Sequence, residues 1–158
     1  MPNILMTRID NRLIHGQVGV TWVNALGANL ILVANDEVAN DPIQQNLMEM
    51  VVPDVIATRF FTLDKTINVI GKAAARQLIF LVCRSPKDVV KLVEGGVPVK
   101  KVNIGNMHFS EGKKQISSTV SVDEEDLKAF RRLKELGVEL EIRRVPEERI
   151  EEDIYKYL

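Results

Sequence analysis

Cysteine is nearly absent from this chain: one residue, Cys83, in 158. A single cysteine excludes an internal disulfide, and with only two histidines no Cys/His spacing suggests zinc. No metal is therefore expected, and Cys83 reads as a small buried hydrophobe at a strand end. Charge of one sign is also lacking. The net charge is -1, so no global field draws the chain to nucleic acid or to a membrane. Long apolar runs are missing: the longest, LIFLVC at Leu78–Cys83, falls far short of the ~18–20 residues of a membrane helix. The opening MPNILMTRID has no basic start followed by an apolar stretch, so no secretion signal is read and a cytoplasmic protein is expected. The glycine signatures of common α/β sites are absent too. There is no GxxxxGK[ST], no GxGxxG after the first strand and no GxSxG, which removes support for a P-loop, a dinucleotide fold or a hydrolase elbow.

What is present is an ordinary globular composition, 46% apolar and 27% charged, in a length that fits one domain, 1–158. Short apolar runs alternate with helical patterns. Strands are expected at 3–9, 29–34, 55–61, 77–83, 100–106 and 138–145, with a weaker one near 117–122. The last alternates charged and apolar residues, as an edge strand does. Helices are expected over 15–26, closed by Gly27, from Asn40 or Asp41 with Ile43, Leu47 and Met50 as its stripe, and over 64–76. Another follows Ser85–Pro86 with Val89, Val90 and Val93 facing inward, and a fifth runs from Asp123 to Leu136. The stretch ERIEEDIYKYL at 148–158 reads as a terminal helix. Strand and helix thus alternate about six times, which argues for an α/β fold with an open, mostly parallel sheet and helices on both faces.

Ligands of such sheets bind beyond the carboxyl ends of strands. The segments there are Arg8–His15, Asn35–Asp36, Arg84–Ser85 and the turn Gly105–His108. The first is the richest. In RIDNRLIHG, Arg8 and Arg12 disfavour protonation of a nearby His15, and neutral imidazole is the nucleophilic form. The same arginines suit an arriving phosphate. Backbone amides of Gly16, Gln17 and Val18 open the following helix, and Gly16 permits close approach. A nucleophile, two anion clamps and a helix start suggest phosphoryl transfer through phosphohistidine. Asp10 has two open readings, orienting the ring or restraining an arginine. Asn11 reads as a turn residue, and Trp22 as core. Asn35, Asp36, Arg84, Ser85, Gly105 and His108 are candidate cleft residues; Asn35 and Asp36 are too few ligands for a metal.

RIDNRLIHGQV, NLILVANDEVANDPIQQNLMEM, LVCRSP, GGVPVKKVNIGNMHF and KKQISSTVSVDEED together resemble the IIB proteins of the mannose/sorbose class of the bacterial sugar phosphotransferase system, along essentially the whole chain. The second block resembles the N-acetylgalactosamine-type branch. The resemblance implies a largely parallel seven-stranded sheet and phosphorylation of His15 at Nδ1. The donor would be a phosphohistidine on a separate IIA protein, and the acceptor a sugar held by membrane IIC and IID subunits. No cofactor would be used beyond the covalent phosphohistidine. Arg8, Asp10 and Arg12 match the residues around that histidine, and Asn106 stands where many relatives have a second glycine. Two other readings remain. One is an anion-binding regulatory module in which Arg8 and Arg12 clamp a phosphorylated metabolite without turnover. The other is a hydrolase or isomerase using His15 as base, for which no partner constellation is visible.

Overall fold

The computed structural model describes residues 2–150 and 152–158, with Gln17 described by its backbone alone. Strand β1 (Asn3–Asp10) leads through a loop into helix α1, a π-helical stretch Gln17–Trp22 continued by α-helical Val23–Leu26. There follow β2 (Leu30–Ala34), α2 (Pro42–Glu49), β3 (Ala57–Phe61), α3 (Leu63–Val69), β4 (Leu78–Cys83), α4 (Pro86–Glu94) and β5 (Lys101–Asn106). Then come β6 (Lys114–Gln115), β7 (Ser121–Val122), α5 (Glu124–Glu135) and β8 (Glu139–Ile142). Three caps were legible locally: Asp41, Ser85 and Asp123 each accept a hydrogen bond from the third residue beyond, and proline occupies the first turn of α2 and α4. Thr62 caps α3 in the same way, which the sequence reading did not anticipate.

Among the described residues, six strands form one parallel sheet in the order β3-β2-β4-β1-β5-β8. Side chains alternate across it and feed two cores. Ile9, Leu30, Leu32, Leu81 and Ile104 pack with Leu63, Val89, Leu92, Phe130 and Leu133 of α3, α4 and α5. Ile31, Val33, Phe80 and Val82 pack on the opposite face with Val18, Trp22 and Val23 of α1 and Met48 of α2. The chain leaves β1 toward β2 on one side of the sheet and leaves β5 toward β8 on the other. A crevice therefore opens at the carboxyl ends of β1 and β5, the switch point where such sheets hold ligands. No helix among the described residues is long and apolar enough to cross a membrane.

Several expectations are corrected. The sheet has six strands rather than seven, because residues 114–122 double back as a separate antiparallel ribbon of β6 and β7. Ile43, Leu47 and Met50 form a stripe, but it faces solvent; α2 rests on the sheet through Met48. The helix over 64–76 ends at Val69, with one 3-10 turn at Ile70–Lys72. In α4 the fully buried residues are Val89 and Leu92, with Val90 and Val93 only half-buried. The last strand stops at Ile142, and its Glu141 is buried against Arg143 and Lys101 rather than solvated. Of the terminal helix over 148–158, only a 3-10 turn at Ile154–Tyr157 forms, preceded by a bridge from Glu152 to Ile142; Glu151 lies outside the described residues.

Candidate functional site

Residues two apart on a strand share a face, so Arg8 and Asp10 of β1 both point toward α1. Opposite them in register stand Asn103 and Asn106 of β5. The register slips by one residue between Ile9 and Asp10, leaving Gly105 as a bulge beneath the Arg8 guanidinium. An ideal Cβ on Gly105 would lie 2.0 Å from Arg8 Cζ, so this contact requires glycine.

Asp10 is the hub. Its Oδ2 lies 2.7 Å from His15 Nε2, and it accepts from Arg8 Nε at 3.2 Å, Arg8 Nη2 at 3.1 Å and Asn106 Nδ2 at 3.1 Å. Its Oδ1 accepts the backbone N–H of Arg12 at 3.0 Å. Burial alone would raise the Asp10 carboxyl; the His15 hydrogen bond, the Arg8 charge and the Asn106 amide outweigh it and hold the group below its ordinary range. An ionised carboxylate can only accept, which assigns the ring proton to Nε2 and the free electron pair to Nδ1.

The two arginines differ sharply. Arg8 has no exposed surface. Its Nη1 donates to Asn103 Oδ1 at 2.6 Å and to the Arg143 carbonyl at 3.3 Å, and its face lies 5.4 Å from the Trp22 ring centre. Burial pulls this guanidinium below its ordinary range, with Asp10 partly opposing. Arg12 is 45% exposed and reaches only within 3.9 Å of Asp10 Oδ1. Of the pair expected to clamp an anion, Arg12 alone is open to solvent.

His15 itself is 16% exposed. The loop that carries it turns on Leu13, which is fully buried at φ 58, a left-handed conformation unusual for a leucine. It is pinned by Leu13 N–H to the Asp10 carbonyl at 2.9 Å and by Asn11 N–H to the Asn106 carbonyl at 3.0 Å. Gly16 begins α1 with ordinary helical dihedrals and open space where a side chain would be. The π-helical turn that follows is a rare geometry concentrated at functional sites.

The remaining candidates divide. Arg84, Ser85 and His108 line one cleft of about 230 Å³ together with Asn11 and Lys113. Asn35 instead accepts from Val38 N–H, and Asp36 from Leu63 N–H, each at 2.9 Å, so both shape turns. A larger cavity of about 610 Å³ between α4 and α5 includes neither His15 nor Asp10. Sequence reasoning gave Asn103, Asn106 and Arg143 no role in the site, and saw Trp22 only as core. Trp22 is buried, yet its Nε1 donates to the Arg144 carbonyl at 3.0 Å, and the Arg8 and Arg143 guanidiniums both lie near its ring centre, at 5.4 and 5.6 Å. The available signal was the pair of asparagines interrupting an otherwise apolar strand.

Fold and site define an open parallel α/β protein that places a carboxylate-oriented histidine, rather than a glycine-rich loop, at its switch point. The chain belongs to the family of PTS system sorbose subfamily IIB components, which it matches over residues 4–158. It is 62% identical over 148 residues to the N-acetylgalactosamine-specific phosphotransferase enzyme IIB component 2 of Escherichia coli K12, covering 94% of each chain. The crystal structure of an N-acetylgalactosamine IIB component from Streptococcus pyogenes superposes with a TM-score of 0.96 at 44% identity, covering 100% of this chain and 99% of the other. The PTS system mannose-specific EIIAB component of E. coli K12 is 41% identical over 141 residues, which are 89% of this chain and 44% of that protein.

Proposed function

We propose that this IIB component carries a phosphoryl group on His15 Nδ1 between a IIA phosphohistidine and a sugar. The observation that carries the reading is the 2.7 Å contact from His15 Nε2 to the buried Asp10 carboxylate. With Nε2 protonated and held, the Nδ1 pair attacks phosphorus in line and the donor imidazole leaves with the P–N pair. The ring becomes a phosphoimidazolium, and the Asp10 charge balances it as a carboxylate balances the imidazolium of a catalytic triad. In the second step the sugar hydroxyl attacks phosphorus, the P–N pair returns to Nδ1, and the hydroxyl proton leaves on the acceptor side.

Arg12, exposed and within 3.9 Å of Asp10, is the anion clamp, joined by the backbone amides of Gly16, Gln17 and Val18. Arg8, expected beforehand as a second clamp, acts through Asp10 as a positioning residue. The cleft of Arg84, Ser85 and His108 faces the same edge. A IIA partner is supported by the mannose-specific relative, whose name joins A and B components. The membrane partners are IIC and IID subunits at the cytoplasmic face. The sugar is N-acetylgalactosamine or a related hexose or hexosamine, supported by the names of the similar IIB components.

Incubation with a radiolabelled phospho-IIA protein should give an acid-labile, alkali-stable label on this chain that is lost in His15→Ala. Label surviving in that variant overturns the assignment. Saturable binding of a sugar phosphate with no labelling would instead favour the regulatory module.

A further inference from the structure

We propose that Asn106 tunes the charge on His15 through the Asp10 oxygen that both residues share. The inference rests on the phosphocarrier reading for its purpose, but its geometry stands apart from it. Among the described residues, four donor nitrogens converge on Asp10 Oδ2: Arg8 Nε and Nη2, His15 Nε2 and Asn106 Nδ2. A carboxylate oxygen offers about two lone-pair sites, so these donors compete. Every donor hydrogen on Oδ2 drains charge that would otherwise attract the His15 ring.

The position of Asn106 suits that task. It closes β5 opposite Asp10 in register, and its own carbonyl accepts the N–H of Asn11 in the His15 loop. It is buried and uncharged, so it tempers Asp10 without adding a cation. Among the described residues, Asp10 pairs with His15, and the cations paired with Asp10 are Arg8 from β1 and Arg12 from the loop. Arg143, beyond β8, faces Trp22 and offers its carbonyl to Arg8. From β5, the neutral amides of Asn103 and Asn106 enter the network.

A phosphohistidine carrier must give up its group as readily as it takes it. A protonated Nε2 makes the phosphorylated ring a good leaving group, and with or without the phosphoryl group a harder pull from Asp10 favours the cationic ring. Asn106 sets how hard Asp10 pulls. Removing its side chain leaves the Asp10 charge less satisfied and favours the cationic ring. Asn106→Ala should raise the pH midpoint of the His15 ring resonances by roughly 0.3–1 unit. The pH profile of phosphoryl transfer should move up with it.

The test is a nuclear magnetic resonance titration of the unphosphorylated full chain, wild type against Asn106→Ala. In the wild type, the Asn106 side-chain amide signals should move with the His15 midpoint, a readout that needs no variant to fold. An unchanged His15 midpoint in Asn106→Ala overturns the proposal, as do wild-type Asn106 amide signals that ignore the His15 transition. Asn106→Asp supplies a control: a rise in that variant alone reports added charge and likewise overturns it. No phosphoryl donor is used in these titrations, so a missing phosphohistidine would refute the carrier function while leaving the coupling measurable.

Discussion

At the scale of single residues, the site is governed by a carboxylate rather than by the two arginines beside it. Arg8 and Asp10 are both fully buried, and removing one partner of such a pair costs about 3–5 kcal/mol because the other is stranded. The bulge at Gly105 is the floor on which that pair rests. Gly105→Ala should push Arg8 off its seat, cost about 1–3 kcal/mol in stability and slow phosphoryl transfer through loss of the Asp10 position. Denaturant unfolding and labelling kinetics check this, and wild-type values in both would show that the contact is dispensable. The pairing of Arg8 with Asp10 was implicit in their spacing, since alternate strand residues share a face. The contribution of Asn103 and Asn106 was not, because register between β1 and β5 is set by packing and by the bulge.

At the scale of elements, α2 shows what periodicity can and cannot say. The spacing of Ile43, Leu47 and Met50 marks a real helical face, but the pattern does not say which face meets the sheet. Met48, only 7% exposed, is the anchor, whereas Met50 is 80% exposed. Met48→Ala should therefore lower stability by about 2–3 kcal/mol, while Met50→Gln stays within about 0.5 kcal/mol of wild type. Thermal unfolding of the two variants separates them, and equal losses would mean the face is wrongly assigned. Caps were the most legible features, because the capping bonds of Asp41, Ser85 and Asp123 reach amides three residues away. The 148–158 segment was misread for the opposite reason. Its fate depends on the bridge of Glu152 to Ile142 and on Tyr155, whose hydroxyl accepts the Leu140 N–H at 2.8 Å, and neither contact is local.

At the scale of the whole molecule, strand-helix alternation announced a parallel sheet, and the expected loops do gather at its carboxyl edge. The strand order was unreadable, so the crevice between β1 and β5 was visible only as a list of loops. The site spans that crevice: Asp10 from β1, Asn103 and Asn106 from β5, and the Arg143 carbonyl beyond β8. Its titration should consequently be felt in global stability. Asp10 is held below its ordinary value of 3.8. Its contribution is thus full above that value and is lost as pH falls through the lower folded value. Melting temperature should drop more steeply below about pH 4 in the wild type than in Asp10→Asn, whose curve lies lower and flatter. Parallel curves in a thermal series would remove Asp10 from the acid response.

The only tryptophan of the chain lies in the middle of this network, its ring centre 5.4 Å from Arg8 and 5.6 Å from Arg143. An indole excited state is sensitive to nearby charge, and two guanidiniums lie close to this one while a carbonyl holds its N–H. The protein therefore contains its own optical gauge. Intrinsic fluorescence should follow any shift of the Arg8 seat in real time and without a label, from inside the core that supports the site.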